Sequence, residues 1–175
     1  MPQSVTHYNR LSKLFHWTSA LLVILLFSLG VWMVDLSYYS EWYKTAPHWH
    51  KSIGICLFAI TLLRIIYKNV TASPKIEGAR WEVISAKIAH TLIYILLFTI
   101  FISGYLISTA DGRAIEIFNW FSIPGFGSFI ENQEDIAGDI HYYLAYTLIA
   151  LASVHALAAL KHHFIDKDNT LKKML

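Results

Sequence analysis

Apolar residues dominate four long stretches of the chain, and polar residues gather in the segments between them. The stretches cover roughly residues 14–34, 52–67, 88–110 and 140–160. Each is close to the ~20 residues that an α-helix needs to cross ~30 Å of hydrocarbon. Arg64 interrupts the second stretch, which is therefore the weakest of the four. Because a water-free interior forces the backbone to satisfy its own hydrogen bonds, the pattern predicts four membrane-spanning helices.

The composition favours a single membrane domain. Of the 175 residues, 55% are hydrophobic and 15% charged, which is too apolar for an ordinary soluble domain. No repeat, low-complexity tract or linker divides the chain, so we predict one transmembrane domain over residues 1–175. It is an all-α, up-and-down bundle with spans at roughly 14–34, 48–67, 83–110 and 138–162. The first span is expected to be retained, since no signal-peptide cleavage site follows it.

Basic residues are distributed unevenly between the two ends of the predicted bundle. Eleven of them flank the spans on the side that carries both termini, and only Lys44, Lys51 and Arg113 lie on the other side. Lys and Arg accumulate on the cytoplasmic side of membrane proteins. We therefore expect a multi-pass protein of the bacterial inner membrane with both termini in the cytoplasm. We expect membrane lipid as a partner, and no nucleic acid.

Histidine and glycine recur in the spans at an interval of fourteen residues. Fourteen residues make four helical turns less 40°, with a rise of ~21 Å, so the two members of a pair share one face at opposite depths. Alternating helix directions sort the pairs into two levels. The inner level holds His16, Arg64, His90 and His155, and the outer level holds Gly30, His50, Gly104 and His141.

Two levels of buried histidine predict two haem groups. Neutral imidazole is a good iron ligand, and haem b is held by side-chain ligation alone. The chain has one cysteine, Cys56, and no C-x-x-C-H motif, which excludes covalent attachment. Gly30 and Gly104 would leave room for a flat ring between helices. Arg64 can pair with a haem propionate or extend its charge to the interface.

Several motifs extend this interpretation to the whole chain. They are LFHW in the first span, HKSIG and LLR in the second, AHTLIY in the third, and HYYLAY, HALAALKHH and KDNTL around the fourth. These motifs resemble the bacterial cytochrome b561 family of four-helix, di-haem membrane proteins. The resemblance implies four axial ligands, with His16 and His155 on the inner haem and His50 and His141 on the outer haem. This pairing agrees with the two levels.

The resemblance also decides two questions that spacing leaves open. His48 and His50 both follow Pro47, and the family pattern H-x-x-x-G selects His50, with Gly54 one turn further on. Spacing permits His90 as an inner ligand, whereas the family pattern places it beside the haem without ligating the iron. Four further residues are likewise expected to lie beside the haems without ligating the iron: Gly30, Gly54, Arg64 and Gly104.

The resemblance implies a membrane oxidoreductase that passes electrons from a periplasmic donor through both haems to ubiquinone. His162, two turns beyond His155, is the candidate quinone-binding residue. Lys44, Lys51 and Arg113 are candidates for a basic entrance that attracts superoxide, an oxidation substrate known in the family. The acidic third connection would instead suit a cationic redox protein.

Two other functions compete with this one. The chain can be a haem-bearing anchor or relay for a dehydrogenase or hydrogenase, which a partner subunit would reveal. A proton or ion transporter would need titratable groups between the levels. The fourth span offers only Tyr, Thr and Ser between His141 and His155, so the sequence disfavours transport.

Overall fold

The structure is a computed structural model that describes residues 5–175. Four long α-helices dominate it, and each is long and apolar enough to cross a membrane. They are α1 (Arg10–Val34), α2 (Thr45–Val70), α3 (Arg80–Thr109) and α4 (Gln133–Phe164). A short 3₁₀ helix, Lys172–Met174, follows α4. The prediction of four transmembrane helices is confirmed.

The outward faces of the helices are suited to lipid. Their large apolar side chains are more than half exposed, for example Leu21, Ile24, Ile95, Ile102 and Leu157. In water such a surface would be unusual, whereas hydrocarbon tails cover it readily. Hydroxyl groups in the helices bond to carbonyls of their own helix, as Thr99 does to Ile95 and Thr147 to Tyr143. The spans therefore expose few polar groups without a partner.

Two closely packed helix pairs make up the bundle. α1 packs along α2 and α3 along α4, whereas the two pairs contact each other more sparsely. Each pair is an antiparallel hairpin, as the alternating helix directions require. The spaces between the hairpins, rather than within them, are therefore the places where the bundle can open to receive a large group.

Four leucines form the core that joins the helices. They are Leu26, Leu57, Leu97 and Leu148, one from each helix. Leu57 lies midway between His50 and Arg64, Leu97 midway between His90 and Gly104, and Leu148 midway between His141 and His155. Seven residues of α-helix rise about 10 Å. This central leucine layer therefore separates the inner level from the outer level.

The connection between α3 and α4 contains a β-hairpin that the sequence pattern did not predict. β1 (Ile115–Ile117) pairs antiparallel with β2 (Phe121–Ile123), and β1 packs on α2. The Ser52 hydroxyl accepts a hydrogen bond from Phe118 N at 3.1 Å and lies 3.5 Å from Glu116 O. The hairpin is therefore fixed to α2 two residues beyond His50.

The turn of this hairpin explains why it was missed. Phe118 and Asn119 have φ of 46° and 62°, both in the left-handed region. They open the three-residue loop 118–120, whereas hairpin turns with left-handed residues normally contain glycine, often as Asn-Gly or Asp-Gly, which is the usual sequence signal. Phe118 is stabilised in this conformation by ring contacts with Trp49 at 5.4 Å and Trp120 at 5.2 Å.

The segment after α4 folds back over the inner end of the bundle. Trp17 Nε1 donates a hydrogen bond to Met174 O at 2.9 Å. The Lys173 side chain is buried, and its ammonium group contacts Lys75 O and the Glu77 carboxylate, each at 2.8 Å. Residues from the first helix, the second connection and the final segment therefore close this end together.

Gly30 and Gly104 allow close contact within each hairpin. A Cβ atom on Gly30 would lie 3.2 Å from His50 Cε1, and one on Gly104 would lie 3.2 Å from His141 Cε1. Both distances are tighter than ordinary van der Waals contact. The two glycines therefore make room for an imidazole of the neighbouring helix, and their expected role beside a macrocycle stays a prediction.

We predict that Gly104→Ala lowers thermal stability in detergent by about 1–3 kcal/mol, because the added methyl group overpacks the contact with His141. Gly138→Ala is the matched control, since nothing lies within 4 Å of its added Cβ and alanine favours helix. Thermal unfolding followed by circular dichroism measures both variants. Equal melting temperatures for the two variants would contradict the close-contact interpretation.

Candidate functional site

The outer level brings His50 of α2 together with His141 of α4. Their ring centroids are 6.2 Å apart, at an interplanar angle of 66°. His50 Nδ1 is buried and has no hydrogen-bond partner in the part of the chain that the structure describes. Buried polar atoms without a partner are rare and call for a bound group or water. The outer pair therefore has the character of an incomplete ligand set.

His141 differs from His50 because protein groups contact its Nδ1 atom. His141 Nδ1 lies 3.1 Å from Ile100 O and 3.1 Å from the Ser103 hydroxyl. An Nδ1–H that donates to these oxygens leaves Nε2 unprotonated and available to a metal. Sequence reasoning missed Ser103, although it stands directly before Gly104.

The inner level brings three histidines and Arg64 together. The rings of His16 and His155 are 6.4 Å apart, and those of His90 and His155 are 5.1 Å apart. An Arg64 guanidinium nitrogen lies 2.9 Å from His16 Nδ1. All the histidines that the spacing assigned to this level are therefore neighbours, and the contacts alone do not select between His16 and His90 as the partner of His155.

Arg64 is a partly buried cation without a carboxylate partner among residues 5–175. Its guanidinium lies 5.8 Å from the centroid of the Tyr94 ring. A cation inside a membrane span normally finds an anion or a route to the interface. Arg64 therefore fits the expected partner of a haem propionate. Because a guanidinium only donates hydrogen bonds, its present contact makes His16 Nδ1 an acceptor, so His16 would ligate iron through Nε2 only with Arg64 turned to the propionate.

The residues present fit haem b. A ligating imidazole nitrogen lies about 2 Å from its metal, so one ion between two rings requires about 4 Å between the facing nitrogens. Ring centroids 6.2 and 6.4 Å apart provide that distance when the nitrogens face each other. Beside His50, a Cβ on Gly54 would meet nothing within 4 Å, so this helix face has open space. These residues would hold the iron and accommodate its ring.

His162 lies in an ionic cluster where α4 ends. His162 Nδ1 is 3.0 Å from Asp166 Oδ2 and 2.9 Å from Asp168 Oδ2, and Lys161 bridges Glu82 and Asp166. Burial alone would raise the pKa of the Asp168 carboxyl. Hydrogen bonds from Thr170 and the proximity of His162 outweigh burial, so the pKa of Asp168 is lowered. Glu82, His162 and Asp166 are close enough to share an ion, but Lys161 already supplies the positive charge there.

The proposed basic entrance at the outer end is only partly available. Arg113 forms a salt bridge with Asp111, and this contact lowers the pKa of the Asp111 carboxyl. Lys44 is exposed and Lys51 is partly buried. Neither lysine forms a salt bridge within residues 5–175. Lys51 is therefore the unpaired lysine nearer in sequence to His50.

Comparison with known proteins identifies relatives of nearly the whole chain. The "Cytochrome b561 homolog 2" of Escherichia coli strain K12 is 46% identical over 96% of this chain and 90% of that protein. The "Cytochrome b561 homolog 1" of the same organism is 27% identical over 95% of this chain and 97% of its own length. The "Probable superoxide oxidase CybB" of Yersinia pestis is 29% identical, with 96% and 95% covered.

The family whose sequence profile matches is described as "Prokaryotic cytochrome b561", and the match covers residues 7–175. Family membership agrees with the four membrane spans. The resemblance drawn from the sequence motifs is therefore confirmed. This chain belongs to the prokaryotic cytochrome b561 family, so it is a membrane electron-transfer protein whose family implies haem b binding, and its four spans fit the bacterial inner membrane.

Proposed function

We propose that this chain binds two haem b groups and passes electrons from a periplasmic donor, through the outer and inner levels, to ubiquinone. The observation that carries the proposal is the pair of imidazoles at each level, with the central leucine layer between them. His50 and His141 would hold the outer haem, and His16 and His155 the inner haem. When bound, each haem supplies a one-electron redox centre.

His90 supports the inner pair in this proposal without ligating iron. Its ring contacts that of His155 at 5.1 Å, so it can restrict the orientation of the ligand. Arg64, beside His16, would balance the negative charge of a haem propionate. The assignment of His16 rather than His90 as ligand rests on the LFHW motif and on the family resemblance.

The central leucine layer favours electron transfer over proton transport. A proton relay requires a chain of titratable or hydrated groups from one level to the other. The buried core midway between the levels is made of leucine, and the buried Thr61 hydroxyl beside it bonds to Leu57 O at 2.8 Å, within its own helix. Electrons can tunnel through packed hydrocarbon, but protons cannot cross it without such a relay.

The charge distribution supports a cytoplasmic location for both termini. The inner end has eleven basic and four acidic residues, for a net charge of +7, and the outer end has three basic and eight acidic residues, for a net charge of −5. The excess of Lys and Arg on one side is what orients a bundle. The inner haem would then face the cytoplasm and the outer haem the periplasm.

Ubiquinone would react beside the inner haem, with His162 as the hydrogen-bonding group. Asp166 and Asp168 lie within 3.0 Å of Nδ1 of this histidine, although neither contact has the alignment of a hydrogen bond, and Nε2 is left to contact a quinone oxygen. Reduction of a quinone to a quinol consumes two electrons and two protons. A carboxylate-bound imidazole near the surface is a suitable route for those protons.

Superoxide is the proposed donor at the outer level. The support is the name of the Yersinia pestis relative, a probable superoxide oxidase, and the free charge of Lys51 next to His50 in sequence. A charge next to the reacting edge matters more than distant ones, because salt screens fields over ~8 Å.

A cationic periplasmic redox protein is the second candidate donor, favoured by the net acidic outer end and by the pairing of Arg113 with Asp111. The role of haem-bearing anchor for a dehydrogenase or hydrogenase would require a further subunit.

We predict that ligand substitutions remove the haems separately. His50→Ala or His141→Ala should deplete mainly the outer haem, and His16→Ala or His155→Ala mainly the inner one, because each pair lies on one side of the leucine layer. Haem content and reduced-minus-oxidised spectra of the purified variants measure this, and the unmodified protein should contain two b-type haems per chain. Equal depletion of both haems by every substitution, in folded protein, would contradict the assignment.

We predict that His162→Ala slows quinone reduction by pre-reduced protein about tenfold or more, with haem content unchanged, because a positioned proton donor contributes at least about 10²-fold in many enzymes. His163→Ala is the matched control, since its ring packs on Phe164 at 4.8 Å and lies outside the carboxylate pair. Stopped-flow spectroscopy with a soluble ubiquinone measures both rates. An unaltered rate in His162→Ala would place the quinone elsewhere.

We predict that superoxide reduces the oxidised protein and that Lys51→Glu slows this reaction by about 10-fold, since focused charge changes association rates by about 10 to 10³. Arg113→Glu should have a smaller effect, because Asp111 already pairs with the arginine. Haem reduction is followed optically under a superoxide flux, with superoxide dismutase as the control. Reduction that is indifferent to dismutase would move the assignment to a periplasmic redox protein.

A further inference from the structure

Three polar atoms between α3 and α4 form a closed arrangement beside the outer level. His141 Nδ1 lies 3.1 Å from both Ile100 O and Ser103 Oγ, and the Ser103 hydroxyl donates to Ile100 O at 3.0 Å. The exposed fraction of Ser103 is 3%, so water does not compete for these contacts. A hydroxyl that donates to the carbonyl keeps its lone pairs directed toward the imidazole N–H.

The other histidine of the outer level has no such support. Gly30 approaches the His50 ring as Gly104 approaches the His141 ring, with the same 3.2 Å separation for an added Cβ. The residue before Gly104 is Ser103, and the residue before Gly30 is Leu29, which offers no hydrogen bond. His50 Nδ1 accordingly has no partner in the described part of the chain. The two imidazoles are therefore related in packing but differ in hydrogen bonding.

We propose that Ser103 is a positioning residue for His141, which fixes the imidazole with Nδ1 protonated and Nε2 directed to the outer haem iron. The inference rests on the proposed function, because it requires His141 to be an iron ligand. A hydrogen bond from Nδ1–H increases the basicity of the ligating nitrogen. A more basic ligand stabilises the ferric state over the ferrous state, so Ser103 lowers the midpoint potential of the outer haem.

The asymmetry gives the outer haem one strongly donating ligand and one weaker ligand. The outer potential then depends on a buried hydroxyl. Loss of supporting hydrogen bonds typically weakens metal binding about 10–100-fold. Ile100 O remains as an acceptor after removal of the hydroxyl. We therefore expect the preference of the outer site for ferric over ferrous haem to fall by about tenfold, the lower end of that range. A tenfold loss corresponds to a rise of about 59 mV for a one-electron couple.

The test is a spectroscopic redox titration of purified Ser103→Ala, with the outer component identified by its absence in His50→Ala. We expect the outer potential to rise, the inner potential to stay constant, and the low-spin electron paramagnetic resonance signal of the outer haem to shift. Ser103→Thr keeps the hydroxyl and should restore both values. Thr61→Val is the matched control, since it removes a buried hydroxyl that bonds only within its own helix.

Each outcome separates this inference from the proposed function. A normal content of two haems with unchanged potential and signal in Ser103→Ala would overturn the role of Ser103 and leave the ligand assignment intact. Equal shifts in the alanine and threonine variants would also overturn it, because packing rather than the hydroxyl would then be responsible. If the alanine variant does not fold, Ser103→Cys provides a weaker acceptor, for which we expect a smaller rise; no rise would overturn the inference.

Discussion

The burial of imidazole in a hydrocarbon environment is the constraint on which the rest of this structure depends. A ring nitrogen that leaves water needs a partner, and lipid supplies none. The chain meets this requirement with a carbonyl, a hydroxyl, a guanidinium and the facing imidazoles. His50 Nδ1 remains without a partner within residues 5–175. Helix spacing, glycine placement and the loose contact between the hairpins all serve to bring these nitrogens together.

Local periodicity was sufficient to predict the spans and the two levels. The fourteen-residue interval depends only on helix geometry, so His50 and His141 could be placed at one depth before any contact was known. Their ring contact, and that of His16 with His155, agrees with that placement. The choice of ligands from these neighbours remains a prediction, since the ring of His90 also neighbours that of His155, at 5.1 Å against 6.4 Å for His16.

Features that depend on contacts between distant segments could not be predicted. Ser103 meets His141 across two helices, and nothing in the sequence around Ser103 indicates this. The β-hairpin uses Phe118 and Asn119 where a turn normally has glycine, so its signal was absent. The carboxylates on His162 come from a segment that reverses direction at Lys167, whose φ is 56°. Tertiary packing, rather than local preference, fixes all three.

The pairing of rings across the two hairpins has a consequence for biogenesis. Each facing pair combines one histidine from the first hairpin with one from α4: His50 with His141, and His16 with His155. The first hairpin, formed by α1 and α2, possesses neither complete pair. Both sites therefore come into existence only when the fourth helix enters the bundle. Under the proposed ligand assignment, cofactor loading would be coupled to completion of membrane insertion, and a chain arrested after α3 would be unable to bind haem through either facing pair.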